Sequence, residues 1–274
     1  MEARAAGAAA CELLDRTFLD IAIAGGTPLP GTGSAEAVLI AEVEAENAVS
    51  ATAAAENLER AFRQAGASDV TLATTVEDEK HLWELRHAAS PALTRLDPSL
   101  ASMQFIEDGC VPPARLPDYV RGVRAALDRQ GIRGVIFGHA GDGHVHVNPL
   151  IDTRVAGWRA RVEALLDDVA RLTADLGGTL AGEHGDGRLR APLLDRIWPR
   201  ATIALFRAVK EAFDPRGILN PGAKIPLASQ RAIEDVKYDP SLSPLPPVAR
   251  AALDRLVRDR AYSTFRLSLV PERN

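Results

Sequence analysis

A short histidine-rich segment constrains the fold of this chain more than any other feature of the sequence. Residues 138–146 read GHAGDGHVH and hold three of the chain's six histidines. Strand-like sequence flanks an Asp-Gly pair on both sides, which is a strong signal for a β-hairpin with a two-residue turn. With Asp142 and Gly143 in that turn, His139 pairs with His146 across the hairpin, with Cβ atoms about 5 Å apart. Two imidazoles at that separation can share a metal ion, so the turn predicts half of a metal site.

A second polar cluster stands in residues 182–187, which read GEHGDG. Glu183 and His184 end a predicted strand, TLAGEH, among glycines that let the backbone approach a ligand. Together with the hairpin histidines they form a donor set suited to zinc, and also to manganese or iron. Adjacent strand residues point to opposite faces, so the strand must end or bulge if both are to reach one ion. Otherwise one of them lies behind the ligands or acts as a base. The alternative is that all these histidines make ordinary hydrogen bonds in a hairpin and a loop.

Arg86 is a candidate for binding a carboxylate. It lies at the edge of an apolar stripe on a helix predicted near residues 77–94, with Ser90 one turn further on. A guanidinium drawn toward the interior is costly unless it meets a carboxylate, either of a substrate or of the protein. The alternative to a substrate-binding role is that Arg86 extends to solvent or pairs with Glu84, Glu107 or Asp108.

Alternating strand and helix patterns predict an α+β domain over residues 1–226, built around an antiparallel or mixed sheet. Besides the hairpin, strands are expected at 37–43, 70–75, 102–107 and 179–184. Helices are expected near 46–65, 77–94, 113–130 and 158–176, and in the segment up to Phe213. Four prolines between positions 240 and 247 mark a change in composition. Residues 227–274 are therefore predicted to be a proline-rich linker and a helical tail near 248–260.

Composition argues against several classes of protein. The chain has 274 residues, 46% of them apolar, and a formal charge of −5, without a Lys/Arg run that would bind nucleic acid. It holds no uninterrupted apolar stretch of about 18 residues, so neither a membrane span nor a signal peptide is expected. A cytoplasmic location is therefore expected, with attachment to the inner membrane through a partner left open. Cys11 and Cys110 are isolated, and no GxGxxG motif marks a dinucleotide-binding fold.

Three motifs, taken in order, resemble the C-terminal domain of FAD-linked oxidases, the family of D-lactate dehydrogenase, glycolate oxidase and D-2-hydroxyglutarate dehydrogenase. They are GHAGDGHVHVNP at 138–149, GGTLAGEHGDGRLR at 177–190 and FDPRGILNPGAKI at 213–225. LWELR at 82–86 and FIEDGCVPPARL at 105–116 fit the same family, so the resemblance covers residues 10–226. It implies a ferredoxin-like antiparallel sheet with helices packed on it, closing over the isoalloxazine of FAD. Most of the FAD is expected to be held by a domain or subunit that this sequence does not contain.

The resemblance also implies roles for individual residues. A divalent metal, expected to be zinc, is bound by His139, His146 and Glu183, and it in turn binds the hydroxyl and carboxylate of a small 2-hydroxy acid. His184 is the expected general base. Arg86 is expected to bind the substrate carboxylate.

Further residues are expected to contact the substrate or the flavin. Ser90 and His144 are assigned to the substrate. Position 144 is usually Asn in the family, so His144 is either a metal ligand or only a wall of the pocket. Asn220, Pro221 and Gly185 are assigned to the flavin.

The expected function is the oxidation of a D-2-hydroxy acid of the lactate, glycolate or 2-hydroxyglutarate type to the 2-oxo acid, with this chain supplying the metal and substrate site. One alternative is a metal-dependent carboxylate-binding or regulatory module without redox activity. Another is a metal-dependent hydrolase. The sequence leaves open the electron acceptor and the oligomeric state, and it allows a homo-oligomer.

Overall fold

The structure, a computed structural model, describes residues 2–25, 34–87, 99–234, 236 and 239–259. Its contacts divide the chain into two compact units, Met1–Val236 and Lys237–Asn274. In the second unit one helix spans Pro247–Asp259, where the sequence predicts the tail helix. Among the described residues, no helix is both long enough and apolar enough to cross a membrane. The domain boundary after residue 226 stays a prediction.

Within the described residues, an antiparallel sheet of six strands forms the centre of the first unit. The strands are β1 (Ala10–Asp15), β2 (Ala37–Glu42), β3 (Ala101–Ser102), β4 (Gly109–Cys110), β5 (Arg133–Gly138) and β6 (His144–Ile151). Their order is β2-β1-β5-β6-β3, and β4 also pairs with β6. Every pairing is antiparallel, which confirms the α+β class.

Helices connect these strands along the chain. In the first unit they are α1 (Glu2–Ala5), α2 (Arg16–Ala24), α3 (Ala48–Gln64), α4 (Val76–His87), α5 (Leu116–Arg129), α6 (Trp158–Asp175), α7 (Gly187–Arg190), α8 (Leu194–Ile197) and α9 (Arg200–Phe213). The helix in the second unit, Pro247–Asp259, is α10. The helices predicted near 46–65, 113–130 and 158–176 are confirmed. The predicted end of the helix at 77–94 lies outside the described residues.

The larger hydrophobic core lies between one face of the sheet and helices α5 and α6. Val123 of α5 and Leu165 of α6 are fully buried in it, together with Ile136, Val145 and Val147 of the hairpin strands. The apolar stripe that recurs along α6 explains this burial, since it places its Leu and Val residues on one side of the helix. This core is the support on which β5 and β6 are held.

A smaller core covers part of the opposite face. Phe18 and Leu19 of α2 pack there with Leu85 of α4, and Phe137 of β5 lies in the same cluster. The aromatic rings of Phe18 and Phe137 are 5.8 Å apart at their centroids. Helix α4 is thereby brought to the sheet face that also carries Phe137.

Strand β6 divides its side chains between the two faces. Val145 and Val147 belong to the larger core, whereas His144, His146 and Asn148 alternate with them and point the other way. All three polar residues are buried. Because buried polar groups need hydrogen-bond partners, this face has to supply those partners from neighbouring elements.

The hairpin between β5 and β6 differs from the predicted one. A five-residue connection at 139–143, containing a 3₁₀ turn at Ala140–Asp142, replaces the two-residue turn, and Phe137 instead of His139 pairs with His146. Gly143 ends the 3₁₀ turn in the left-handed region, with φ of 71°. The predicted register was therefore wrong by two residues. A shift of two keeps each side chain on its predicted face, and His146 stays on the polar side.

Two predicted strands are absent from the described structure, and a third is shorter than expected. Residues 70–75 have strand-forming composition but pair with no strand, and residues 179–184 make only an isolated bridge between Thr179 and Cys110. The strand expected at 102–107 is reduced to β3 at Ala101–Ser102. Strand β1, which pairs with both β2 and β5, was not predicted. Strand propensity reports the fit to a pleated surface, so it cannot show whether a partner strand is available.

Gly143→Ala tests the constraint on the histidine loop. A Cβ at position 143 would lie 2.1 Å from the carbonyl oxygen of Val111, in a backbone conformation that only glycine adopts easily. We expect the free energy of unfolding to fall by about 3 kcal/mol or more, since backbone strain and a backbone clash add. Urea unfolding followed by circular dichroism measures it.

Gly157→Ala is the matched control. Gly157 also has a positive φ, of 77°, but a Cβ there would meet open space. The free energy of unfolding of Gly157→Ala should fall by about 1 kcal/mol, because the substitution adds backbone strain but no clash. Equal losses in the two variants would show that the contact with Val111 does not constrain the loop.

Candidate functional site

Four side chains that could bind a metal ion lie close together. Ligand atoms of His139, His144, His146 and Glu183 all lie within 4.8 Å of one another. Nε2 of His146 is 3.3 Å from one carboxylate oxygen of Glu183, and Nε2 of His139 is 3.8 Å from the other. The structure thus brings together all three residues predicted to bind a metal, although the turn predicted between His139 and His146 was wrong.

The imidazoles of His139 and His146, which face Glu183 through Nε2, are each held by a hydrogen bond to Nδ1. Nδ1 of His139 lies 2.5 Å from the carboxylate of Glu12, and Nδ1 of His146 lies 2.9 Å from the carbonyl oxygen of Glu107. A carbonyl oxygen only accepts, so Nδ1 of His146 carries the proton and Nε2 presents its lone pair to the cluster. Burial lowers the pKa of His146, which favours this neutral form. Metal-binding histidines are typically oriented in this way, so the donor set fits a divalent cation.

His144 is engaged differently from its two neighbours. Its Nε2 lies 2.9 Å from a carboxylate oxygen of Asp108, and its ring centroid is 4.8 Å from that of His146. Since a carboxylate accepts, Nε2 of His144 is the donor and Nδ1 is the nitrogen left for a ligand. The structure places His144 in the cluster, and its assignment to the substrate stays a prediction.

The loop that carries Glu183 and His184 is anchored by one buried carboxylate. The backbone N–H groups of Glu183 and His184 donate to the two oxygens of Asp108, at 3.0 and 2.9 Å. Burial opposes ionisation of Asp108, but these hydrogen bonds and the charge of Arg190 outweigh it and lower its pKa. Because the segment is a loop instead of the predicted strand, both side chains can face the cluster. Gly182 allows this approach, since a Cβ there would lie 2.6 Å from the ring of His144.

His184 lies at the open side of the cluster. Its Nε2 is 3.1 Å from Glu183, and its ring stacks on His146 with centroids 5.5 Å apart. The side chains of His184 and Glu183 are 48% and 44% exposed. An imidazole in this position can exchange a proton with a bound small molecule, and the role of His184 as a base stays a prediction.

Arg86 is connected to the cluster through Glu12, a residue that the sequence analysis did not consider. Its Nε donates to a carboxylate oxygen of Glu12 at 2.6 Å, while the other oxygen of Glu12 is held by His139. Its guanidinium carbon lies 5.1 Å from the ring centroid of Phe137. Burial alone would raise the pKa of Glu12, but the hydrogen bonds from Arg86 and His139 lower it. One carboxylate therefore links the predicted substrate-binding cation to a predicted metal ligand.

Of the remaining predicted residues, Ser90 lies outside the described part of the chain. Asn220 and Pro221 are exposed, and Asn220 has a φ of 48°. Lys224 forms an ion pair with Asp186, which ties their segment to the loop that contains Gly185. The residues predicted to contact flavin thus belong to two exposed, connected segments.

Three residues at this site were missed or given another role. Glu12 was missed because β1 was not recognised. Asp108 was considered only as a partner of Arg86. Asn148 follows the alternation of His144 and His146, which could have identified it; it is buried, and its Oδ1 has no hydrogen-bond partner among the described residues.

Comparison with known proteins defines the class to which this fold and site belong. The chain belongs to the family described as FAD linked oxidases, C-terminal domain, whose model matches residues 1–223. It is 36% identical over 167 residues to "Glycolate oxidase subunit GlcD" of Bacillus subtilis (strain 168). It is 36% identical over 198 residues to "D-2-hydroxyglutarate dehydrogenase" of Pseudomonas putida (strain KT2440). The family confirms the resemblance stated from the motifs.

The chain spans only a minor part of these relatives. The first match covers 61% of this chain and 35% of the relative, and the second covers 71% and 18%. A solved structure of a 4-ethylphenol oxidase from Gulosibacter chungangensis in complex with isoeugenol has the same fold, with a TM-score of 0.55 at 15% identity. That match covers 79% of this chain and 47% of the other. This chain therefore corresponds to one domain of longer flavin-linked proteins.

Glu12→Gln tests the link between Arg86 and His139. A glutamine has one acceptor oxygen, so its NH₂ group must face either the guanidinium or the imidazole. We expect the free energy of unfolding to fall by about 2 kcal/mol, as for a buried charged hydrogen bond that loses its partner. Urea unfolding measures the change. Glu42→Gln is the control, because among the described residues the carboxylate of Glu42 accepts from the indole N–H of Trp83, and glutamine can still do so. A similar loss in both variants would contradict the proposed link.

Proposed function

We propose that this chain supplies the metal and substrate site of an FAD-dependent enzyme that oxidises a D-2-hydroxy acid to the 2-oxo acid. The observation that carries the proposal is the convergence of His139, His146 and Glu183, with both imidazoles oriented from behind by hydrogen bonds to Nδ1. The names of the relatives support the substrate class, which includes glycolate and 2-hydroxyglutarate. Lactate completes the range that the family resemblance implies.

The residues divide the work on such a substrate. His139, His146 and Glu183 would hold a divalent metal, expected to be zinc, which would act as a Lewis acid toward the 2-hydroxyl group. His184 lies within reach of the same region and takes the hydroxyl proton on its imidazole. Arg86 orients the acid end of the substrate, since a guanidinium pairs well with a carboxylate. Bound FAD would supply the acceptor for the hydride that leaves C2.

The exposed surface of the chain is compatible with a partner that carries the flavin. Helix α9 has an apolar face on which Leu205, Val209 and Phe213 are 66%, 60% and 83% exposed. Ile218 and Leu219, which precede Asn220, are also exposed. Exposed apolar patches of this kind mark interaction surfaces. An FAD-binding domain, on another polypeptide or outside this sequence, is the partner that the family implies.

His146→Ala tests the metal part of the proposal. The wild-type chain is expected to bind about one equivalent of zinc, as a three-residue site does. Loss of a residue that hydrogen-bonds to a metal ligand weakens metal binding by roughly 10–100-fold. Loss of the ligand itself should weaken zinc binding by more than that. Zinc content after dialysis and calorimetric titration measure it. His81→Ala is the control, because His81 lies on the exposed side of α4.

The same preparation tests the flavin part. Visible absorption is recorded after FAD and D-2-hydroxy acids are added, with and without a separate FAD-binding domain of the family. Flavin reduction by a hydroxy acid supports a dehydrogenase. Zinc and acid binding without reduction, when the flavin domain is present, would instead define a carboxylate-binding module. Unchanged zinc affinity in His146→Ala would reject the site.

Arg86→Lys tests the role of the guanidinium. Lysine keeps the positive charge beside Glu12 but loses the planar fork that binds a carboxylate through two hydrogen bonds. We expect the affinity of the zinc-loaded chain for D-lactate or D-2-hydroxyglutarate to fall by about 10-fold, with zinc affinity little changed. Titration calorimetry measures both. Arg124→Lys, which alters the ion pair with Asp15, is the control. Equal acid affinity in Arg86→Lys and wild type would return Arg86 to a structural role.

A further inference from the structure

Asp108 occupies an unusual position beneath the candidate site. It is fully buried, and both carboxylate oxygens are used. One oxygen accepts from the backbone N–H of Glu183 and from Nε2 of His144, at 3.0 and 2.9 Å. The other accepts from the backbone N–H of His184 at 2.9 Å, with a guanidinium nitrogen of Arg190 at 3.4 Å. A single side chain therefore contacts the backbone of a proposed metal ligand, the backbone of the proposed base and a third residue of the cluster.

We propose that Asp108 is a positioning residue that sets the geometry of the metal centre by holding the backbone of Glu183 and His184. This inference rests on the proposed function, since it concerns the same site. Asp108 touches neither ion nor substrate in this role. It acts through the loop, and it keeps two consecutive side chains directed toward the histidines.

Only a carboxylate meets all the demands at this position. The two N–H groups belong to consecutive residues and point to different oxygens, and His144 donates as well. A carboxylate has two acceptor oxygens and no donor. An asparagine in the same place would turn an NH₂ group toward one of these donors, so that a buried N–H would lose its partner. The loop would then have to move away from position 108.

Arg190 completes the anchor. It is buried on α7 and pairs with Glu107 as well as with Asp108. The guanidinium nitrogen nearest Asp108 also donates to the carbonyl oxygen of Gly185 at 2.6 Å. Arg190 thus balances the charge of Asp108 and fixes the loop on the far side of His184. The loop is held at three successive residues, from Glu183 to Gly185.

The chain contains a matched control for this arrangement. Asp15 is also a buried carboxylate that accepts from two backbone N–H groups, those of Phe18 and Ile136, and pairs with an arginine, Arg124. None of its partners belongs to the histidine cluster. Replacement of Asp15 by Asn therefore disturbs a comparable buried carboxylate, with two backbone donors and an arginine, without touching the site.

The test compares Asp108→Asn and Asp15→Asn in the 274-residue chain. Zinc affinity is measured by calorimetric titration at a temperature where circular dichroism shows that both variants are folded. The visible spectrum of bound cobalt(II) reports the geometry of the ligands. We expect Asp108→Asn to weaken zinc binding by about 10–100-fold and to alter the cobalt spectrum, as for loss of a residue that orients ligands. Asp15→Asn should leave both unchanged, even though it destabilises the fold.

The outcomes separate this inference from the function on which it rests. Wild-type zinc affinity and a wild-type cobalt spectrum in Asp108→Asn would overturn the positioning role and leave the proposed function standing. Equal changes in both variants would show a general effect of lost stability and would also overturn it. A wild-type chain that binds neither metal would reject both proposals.

A second variant covers the case in which Asp108→Asn does not fold. Arg190→Lys keeps the positive charge but has one terminal nitrogen in place of two, so it cannot hold Glu107 and, from a second position, also contact Asp108 and the carbonyl oxygen of Gly185. We expect zinc binding to weaken several-fold and the cobalt spectrum to change. An unchanged zinc affinity and cobalt spectrum would overturn the proposal that Asp108 and Arg190 anchor the loop. Arg124→Lys, which makes the same change beside Asp15, serves as its control.

Discussion

Buried carboxylates hold the polar end of the sheet together. Strand β6 turns His144, His146 and Asn148 away from water, and such groups are stable only when they find hydrogen-bond partners. Asp108 supplies the partner of His144, and Glu12 supplies the partner of His139 in the loop before β6. Each carboxylate accepts from an imidazole, whose ring it orients, and from an arginine, whose charge it balances. The arrangement of the histidine cluster therefore rests on these two residues as well as on its own members.

The part of the site that could be predicted from the sequence is the part that depends on local geometry. The hairpin was recognised from its Asp-Gly pair and its flanking strands, although its turn and register were wrong. Side-chain direction in a strand has a period of two, so an error of two residues left His146 on the polar face. The apolar spacing along α6 gave its buried side for the same kind of reason, because the pattern repeats within one element.

The remainder depends on contacts between residues far apart in the chain. Glu12 meets His139 across 127 positions, and Asp108 meets the backbone of Glu183 across 75. No periodicity connects such pairs, and β1, which positions Glu12, was not recognised as a strand. Residues 179–184 illustrate the converse error. Their composition favours a strand, but the hydrogen bonds to Asp108 hold Glu183 and His184 in a loop. A strong tertiary interaction has overridden local preference.

The anchoring of this loop also bears on how an open site can serve a second protein domain. Glu183 and His184 expose nearly half of their side chains, while their backbone N–H groups are fixed to a fully buried carboxylate. The loop that carries these two side chains is therefore held in place although the side chains themselves are exposed. When a partner closes over such a site, it does not have to supply the free energy for ordering the loop, and more of the binding free energy remains for excluding water. The proposed role of this chain, as one part of a site that a flavin domain completes, needs this combination, because a loop that ordered only on closure would bind metal weakly until the partner arrived.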